Sequence, residues 1–216
     1  MSPQQAQILD QLLSQAPVLP VLSIARLEDA VPLAQALVAG GLTVLEITLR
    51  HEIAFDCISA IVRAVPEAIV GAGTVLHAHH LAQVSAAGAR FAISPGATPE
   101  LLLAGTNAHI PLLPGVATAS EIMAGLSAGY SRFKFFPAES SGGSAALKSF
   151  AGPFPSARFC PTGGIDAQLA PSYLKLNNVL TVGGSWMAPS ALVGAKDWAG
   201  ITELARACAH LRRQQQ

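Results

Sequence analysis

Apolar runs and amphipathic segments alternate along the whole of this chain, and the pair of patterns recurs about eight times at a spacing of roughly 25 residues. Short apolar runs bounded by Gly and Pro predict strands, whereas apolar residues spaced three and four apart predict helices. The predicted strands are residues 17–23, 42–49, 68–72, 90–94, 109–113, 131–137, 158–160 and 179–182. The predicted helices are residues 4–14, 28–39, 53–65, 79–87, 99–104, 119–128, 144–150, 167–174 and 201–213.

Strands that alternate with helices through short connections imply a parallel sheet. Eight such units predict an α/β fold of the (β/α)8 TIM-barrel type with an extra N-terminal helix. We expect one domain, residues 1–216, with the helix in residues 1–16 and the barrel in residues 17–216. The composition agrees, because 51% of residues are hydrophobic and 12% charged, as expected where both faces of a parallel sheet are buried. An open, doubly wound sheet is the alternative.

Charge and cysteine content narrow the class of protein. The formal net charge is zero, so neither nucleic acid nor an anionic membrane is an expected partner. No apolar run approaches the roughly 20 residues needed to span a bilayer, and the N-terminal residues lack a signal-peptide pattern. Cys57, Cys160 and Cys208 are odd in number and widely spaced, which favours reduced thiols. We expect a soluble cytoplasmic protein.

A lysine in the middle of an aromatic strand is the first candidate for chemistry. Residues 131–137 read SRFKFFP, so Lys134 stands among aromatic side chains. Burying an ammonium group costs free energy, and such a group is paired with an anion or gives up its proton. A neutral lysine is a nucleophile towards carbonyl carbon, so the question is whether the chain places a partner beside Lys134.

Side-chain alternation along the strands provides a partner. Glu46 and Arg50 share the inward-pointing parity of the second strand, and Lys134 has that parity in the sixth. Barrel interiors are layered by alternate strands, so we expect Glu46 and Lys134 to meet. The non-catalytic interpretation is a buried ion pair, which is a weak stabiliser. Arg50 is either a solvated residue at a strand end or a residue that binds a substrate carboxylate through two guanidinium N–H groups.

Two glycine pairs follow the last two predicted strands, where barrels frequently bind phosphate. Thr162, Gly163 and Gly164 follow the seventh strand, and Gly184 and Ser185 follow the eighth. Glycine lets backbone N–H groups approach phosphate oxygens, although tight turns also need glycine. Two pairs at these two positions favour a phosphate site, with the Ser185 hydroxyl as an additional donor.

Other strand ends carry polar or turn-forming residues with less specific signals. Thr74 and Pro95 follow the third and fourth strands, and we expect them to line the pocket, although ordinary turn chemistry also explains them. His77, His79 and His80 suggest a metal, but their spacing does not place them on one helical face. A solvated loop and helix start is the favoured interpretation of the three histidines.

Five segments together resemble a known enzyme family. They are LEITLR at residues 45–50, GAGTV at 71–75, FAISPG at 91–96, FKFFPAE at 133–139 and RFCPTGGI at 158–165. Their order closely resembles the bacterial aldolases of 2-keto-3-deoxy-6-phosphogluconate (KDPG), a family that also acts on 4-hydroxy-2-oxoglutarate (KHG). The resemblance runs from about residue 17 to the C-terminus. The histidine run is the main departure.

The resemblance implies a class I, Schiff-base aldolase that cleaves KDPG to pyruvate and D-glyceraldehyde 3-phosphate and also acts on KHG. It implies Lys134 as the Schiff-base lysine and Glu46 as the general acid/base. The implied substrate contacts are Arg50 and Thr74 for the pyruvate carboxylate, Pro95 and Phe136 for the pocket wall, and Thr162, Gly163, Gly164, Gly184 and Ser185 for the phosphate. It further implies a cytoplasmic homotrimer of the Entner–Doudoroff pathway that uses no metal or cofactor.

Three alternative functions stay open on the sequence. A metal-dependent pyruvate aldolase would use His77, His79 and His80. Another phosphate-binding barrel enzyme, such as a sugar-phosphate isomerase, would share the glycine loops but need no lysine imine. A non-catalytic protein that binds phosphorylated sugar acids would have no need for a buried amine. The preference between KDPG and KHG and the stereochemistry at C4 are not readable from the sequence.

Overall fold

The computed structural model describes residues 1–211, in which nine short strands alternate with helices. The strands are β1 (Val18–Leu22), β2 (Val44–Thr48), β3 (Ile69–Gly73), β4 (Phe91–Ile93), β5 (Leu112–Leu113), β6 (Gly115–Val116), β7 (Arg132–Phe135), β8 (Arg158–Pro161) and β9 (Val182–Gly184). The helices are α1 (Pro3–Leu13), α2 (Leu27–Ala39), α3 (Ala54–Ala64), α4 (Ala78–Ala86), α5 (Pro99–Thr106), α6 (Ala119–Ser127), α7 (Gly143–Phe150), α8 (Ala170–Leu174), α9 (Ser190–Gly194) and α10 (Trp198–Ala209), with a 3-10 turn at Glu139–Ser141.

The strands form a parallel sheet that curls into a barrel. One run has the order β5-β4-β3-β2-β1-β9 and the other the order β6-β7-β8. The two runs of strands are joined at two places. On one side, Thr162 forms a bridge with Gly183. On the other side, β5 and β6 are the two halves of one strand, which is interrupted at Pro114. The Lys134 N–H donates to the Pro114 carbonyl, so β7 pairs across the interruption. The predicted (β/α)8 barrel with an extra N-terminal helix is therefore confirmed.

The strand and helix bounds differ from the predicted ones at a few places. The fifth strand continues beyond Pro114, which the sequence pattern marks as its end, because proline still offers its carbonyl to the neighbouring strand. The last strand begins at residue 182 rather than 179. Helix α9 was not predicted, because five residues are too few to show helical periodicity. The predicted end of the last helix, at residue 213, lies outside the described residues.

Apolar side chains fill two layers of core on either side of the strands. Leu45 and Phe133 belong to the layer between strands and helices. They precede the inward-pointing Glu46 and Lys134 in their strands, so alternation directs them outward. The barrel interior is a separate cluster. The members of that inner cluster are Leu9, Leu13, Leu19, Val44, Phe91, Ile93, Leu113 and Cys160.

Helix α1 closes the N-terminal end of the barrel. Its Leu9 and Leu13 are buried against the inner cluster, and its Asp10 pairs with Arg132 at the start of β7 with an Nη2–Oδ2 distance of 2.6 Å. A capping box between Ser2 and Gln5 fixes where the helix begins. The helix is thus the floor of the barrel, and a substrate site is left to the opposite, carboxyl end of the strands. None of the helices described within residues 1–211 is both long and apolar enough to cross a membrane.

Candidate active site

Lys134 and Glu46 form a buried ion pair inside the barrel. Lys134 lies in β7 and Glu46 in β2, and their side chains point inward as the alternation predicts. The Lys134 Nζ donates to Glu46 Oε1 at 3.0 Å, and the residues are 5% and 0% exposed. Glu46 Oε2 is buried and has no hydrogen-bond partner within the described residues. A buried carboxylate oxygen that accepts no bond is costly, unless a proton or a bound molecule completes it.

Gly73 makes the space that the Glu46 carboxylate occupies. A Cβ atom at Gly73 would lie 2.0 Å from Glu46 Oε1 and 2.7 Å from both Cγ and Cδ. The neighbouring Gly71 makes room in the same way for the ring of Phe91. The predicted third strand ends at residue 72, whereas β3 continues through Gly73, so the whole GAG segment lies within the strand. Its glycines allow close packing inside the barrel.

Besides the Glu46 carboxylate, Lys134 has an aromatic ring and a thiol as neighbours. Its Nζ lies 5.4 Å from the centre of the Phe136 ring. Cys160 is paired with Lys134 in the register of β7 and β8. Burial raises the pKa of the Cys160 thiol to about 12. Cys160 is therefore a neutral thiol near pH 7, and Lys134 is the nucleophile that this part of the barrel presents.

A cavity of about 800 Å³ opens at the carboxyl end of the strands. Thr48 and Phe136, two residues beyond Glu46 and Lys134 in the chain, lie in its wall, whereas Glu46 and Lys134 themselves do not. Arg50, which the resemblance assigns to the substrate carboxylate, also lies in its wall. The predicted phosphate-binding residues in the wall are Thr162, Gly163, Gly164, Gly184 and Ser185. The cavity therefore has an arginine near the end of β2 and glycine loops after β8 and β9.

Thr74 and Pro95 lie at the same end of the barrel but outside the wall of this cavity. Thr74 directly follows Gly73 and has a left-handed backbone with φ of 59°. Pro95 follows β4, and its backbone lies so close to Gly115 that a Cβ there would be 2.2 Å from the Pro95 carbonyl. Both residues are half-buried at the rim near Glu46 and Lys134. Their predicted contact with substrate stays a prediction.

The loop after β8 is held rigidly and leaves donors free. The Ala138 N–H donates to the Thr162 carbonyl at 2.8 Å, and the Glu139 N–H donates to the Gly163 carbonyl at 3.1 Å. The Tyr173 hydroxyl donates to the Glu139 carboxylate, which ties the loop to α8.

The glycines of this loop have left-handed backbones, with φ of 105° at Gly163 and 79° at Gly164. Within residues 1–211, the N–H groups of Gly164 and Ser185 donate no hydrogen bond. Free backbone donors in a preorganised turn are suited to bind an anion.

The three histidines pack on one another at the start of α4. The ring centres of His79 and His80 are 4.5 Å apart, and His77 stacks on His79 at 5.3 Å. Burial lowers the pKa of His80, and the neighbouring His79 and His77 lower it further. Over the described range 1–211, no group of three His, Cys, Asp or Glu side chains is arranged to hold a metal ion. The metal-dependent alternative thus has no ligand cluster in that range.

Two charged residues in the cavity wall were not predicted. Arg26 and Asp29 follow β1, and Arg26 donates from Nε and Nη2 to the two Asp29 carboxylate oxygens at 2.8 and 3.1 Å. They lie at a carboxyl strand end, which is the position at which active-site residues are expected in barrels. A search of the residues after the first strand would have found both.

A family model described as "Aldolase: KDPG and KHG aldolase" matches residues 9–204. The 2-dehydro-3-deoxy-phosphogluconate aldolase of Pseudoalteromonas atlantica is 58% identical over 193 residues, which are 89% of this chain and 90% of that protein.

Two solved structures of KDPG aldolases, each 50% identical in sequence, share the fold. The enzyme from Legionella pneumophila, with pyruvate captured at low pH as a covalent carbinolamine intermediate, superposes with a TM-score of 0.91 and covers 93% of this chain and 97% of its own. The enzyme from Zymomonas mobilis, with 3-phosphoglycerate, has a TM-score of 0.90 and covers 94% and 95%.

Proposed function

Because the chain belongs to the family of KDPG and KHG aldolases, we propose that it is a class I aldolase that cleaves KDPG to pyruvate and D-glyceraldehyde 3-phosphate. The observation that carries this proposal is the buried contact between Lys134 Nζ and Glu46 Oε1 at 3.0 Å. An amine and a carboxylate in contact, on two strands whose ends line a cavity, are the groups that imine chemistry requires.

Imine formation begins at Lys134. Its neutral amine attacks the C2 ketone of the substrate and forms a carbinolamine. Loss of water then gives a protonated imine, in which C2 is an electron sink. Glu46 is in hydrogen-bonding contact with the attacking nitrogen, so it can take the proton that the amine gives up and return it to the departing hydroxyl.

Bond cleavage uses Glu46 a second time. Its Oε2, which has no partner among residues 1–211, accepts the proton of the substrate C4 hydroxyl, directly or through one water molecule. The C3–C4 bond breaks, its electron pair moves into the imine to form an enamine, and the aldehyde departs. Protonation of C3 and hydrolysis of the imine release pyruvate and regenerate Lys134.

The two ends of the cavity suit the two ends of KDPG. Arg50, near the end of β2, suits the pyruvate carboxylate, and Phe136 is an apolar part of the same wall. Thr74 and Pro95 lie outside this wall at the same end of the barrel, and we propose them as a second donor and a further apolar contact. Thr162, Gly163, Gly164, Gly184 and Ser185 suit the phosphate, because their loops offer backbone N–H groups and hydroxyls. The solved enzyme with 3-phosphoglycerate supports a phosphate site in this family.

KHG is the second substrate that we propose. It shares the C2 ketone and the C4 hydroxyl with KDPG but has no phosphate, so it needs Lys134 and Glu46 and not the glycine loops. The rival assignments, a sugar-phosphate isomerase or a non-catalytic binding protein, leave the buried lysine without a role. Burying this ion pair costs desolvation free energy, and a site that only binds a ligand does not require such a pair.

We also propose that residues 1–216 form one domain that acts in the cytoplasm as a homotrimer in the Entner–Doudoroff pathway, without metal or cofactor. Continuous strand pairing around the barrel supports one domain, and helix α1 is part of its core. Free thiols at Cys57, Cys160 and Cys208 support a reducing compartment. Analytical ultracentrifugation tests the trimer.

Pyruvate release from KDPG, followed with lactate dehydrogenase and NADH, tests the reaction. The wild-type protein is expected to release pyruvate, and Lys134→Met is expected to reduce the rate to background. Lys175→Met, in which an exposed lysine far from the cavity is replaced, is the matched control and should keep the wild-type rate. Full activity in Lys134→Met would end the imine assignment, and no pyruvate from the wild-type protein would favour the binding-protein alternative.

A further inference from the structure

KDPG carries more negative charge than the predicted substrate-binding residues carry positive charge. KDPG carries a carboxylate at one end and a phosphate at the other. Arg50 suits the carboxylate, which leaves the phosphate with neutral N–H and hydroxyl donors only. The cavity wall holds one further cation among the described residues, Arg26. We propose that Arg26 binds the phosphate of the substrate and thereby sets the preference for KDPG over KHG, an inference that rests on the proposed aldolase function.

Arg26 is held in place before any substrate arrives. It directly precedes α2, in an extended backbone conformation with φ of −133° and ψ of 129°. Its Nε and Nη2 both donate to Asp29, which is 4% exposed and therefore fixed in the packed part of the helix. A planar guanidinium held on one edge by a carboxylate loses little conformational freedom when its other edge binds an anion.

The remaining donors of Arg26 are free for a ligand. Asp29 takes two of the five guanidinium N–H groups; within residues 1–211, both on Nη1 and one on Nη2 donate no hydrogen bond. Glu28 is the nearest competitor, with its Oε1 at 3.6 Å from Nη1, beyond hydrogen-bonding distance. Glu28 is exposed and also pairs with Lys196 at 3.3 Å, so its hold on Arg26 is that of a weak surface ion pair.

The position of Arg26 distinguishes the two substrates. Arg26 and the glycine loops at Gly164 and Ser185 line the same cavity. In the arrangement that we propose, one phosphate group contacts both. The phosphate of KDPG is several bonds further from C2 than the second carboxylate of KHG. An arginine at the rim is therefore reached by KDPG, whereas KHG ends near Lys134 and Glu46.

Steady-state cleavage of both substrates by Arg26→Gln tests the proposal. For KDPG we expect kcat/KM to fall roughly ten- to a hundredfold, mainly through KM, because a charge-assisted bond to phosphate is lost. For KHG we expect kcat/KM within about twofold of wild type, which also shows that the variant folds. Arg63→Gln replaces an exposed arginine on α3 and should leave both substrates unaffected. Asp29→Asn should raise KM for KDPG by a smaller factor and leave KHG unchanged, as a positioning residue would.

The outcomes separate this proposal from the proposed function. If Arg26→Gln cleaves KDPG with wild-type kcat/KM, or loses both substrates equally while it remains folded by circular dichroism, Arg26 does not bind the phosphate and the aldolase assignment stands. If the wild-type protein cleaves neither KDPG nor KHG, the aldolase function is wrong, and the role of Arg26 is rejected with it.

Discussion

Gly73→Ala should abolish most of the activity although it adds one methyl group to a residue that carries no chemistry. The new Cβ would lie 2.0 Å from Glu46 Oε1, whereas ordinary van der Waals contact begins at 3.4 Å. The carboxylate therefore has to retreat by about 1.4 Å, or strands β2 and β3 have to separate. Glu46 is 0% exposed, so a displaced carboxylate has to be accommodated among buried neighbours.

The size of the effect follows from that displacement. A misplacement of about 1 Å in a catalytic group can reduce the rate by about 100-fold, which is about 2.7 kcal/mol of transition-state stabilisation. Overpacking a well-filled core should also lower the free energy of unfolding, by about 1–3 kcal/mol. We expect Gly73→Ala to remain folded at 25 °C with kcat for KDPG reduced at least 100-fold.

Gly71→Ala, which overpacks the same strand, is the matched control. The three atoms nearest to a Cβ at Gly73 all belong to Glu46, whereas those nearest to a Cβ at Gly71 all belong to the Phe91 ring. The Cβ of Gly71→Ala would lie 2.2 Å from the Phe91 ring, so a similar loss of stability is expected from urea unfolding. Its kcat should stay within about threefold of wild type. Gly152→Ala, where nothing lies within 4 Å of the new atom, should change neither quantity.

Two results would refute this reasoning. A Gly73→Ala protein with wild-type kcat would show that the position of Glu46 is not critical, and its acid/base role would fall with it. Equal losses of kcat in Gly71→Ala and Gly73→Ala would attribute the effect to general disruption of the barrel.

Three further predictions concern other parts of the molecule. Glu46→Gln, which keeps the shape of the side chain, should lower kcat by roughly 10²–10⁴-fold in the lactate dehydrogenase assay, and an unchanged kcat would make Glu46 a structural residue. Leu9→Ala in the barrel floor should lower the free energy of unfolding, measured with urea, by about 2–5 kcal/mol, whereas Leu103→Ala at an exposed position should change it little. Equal losses in the two variants would contradict the role of α1 as the barrel floor. Burial lowers the pKa of His80 below its ordinary value of 6.5. As pH falls, this imidazole therefore takes up a proton in the unfolded chain before it does so in the folded protein, and the free energy of unfolding decreases below about pH 6.5. The fall in Tm from pH 7.5 to 5.5 should be smaller in His80→Gln, and an equal fall would remove His80 as a source of acid sensitivity.

The contact at the centre of the site was predictable from the sequence because it depends on strand parity alone. Inward alternation in two even-numbered strands brings Glu46 and Lys134 together, and the structure has their side chains 3.0 Å apart. The positions of the glycine loops followed from the order of the strands. These features need no knowledge of how far one strand is shifted against the next.

The features that the sequence did not predict depend on register and packing. Gly73 lies one residue beyond the predicted third strand, and only the pairing of Thr48 with Gly73 across β2 and β3 puts its missing Cβ beside Glu46. The first helix looks like any amphipathic helix, and its role as the barrel floor follows from where Leu9 and Leu13 insert. The Arg26–Asp29 pair depends on the three-residue offset at the start of α2, which no motif marks.

Trapping with borohydride in the presence of pyruvate tests the central claim most directly. Reduction of the imine would leave a stable pyruvyl adduct, which peptide mass spectrometry should locate on Lys134 and nowhere else, with parallel loss of KDPG cleavage. Absence of an adduct from protein that cleaves KDPG, or an adduct on Lys148, Lys175 or Lys196 instead, would contradict the assignment of Lys134 as the imine-forming residue.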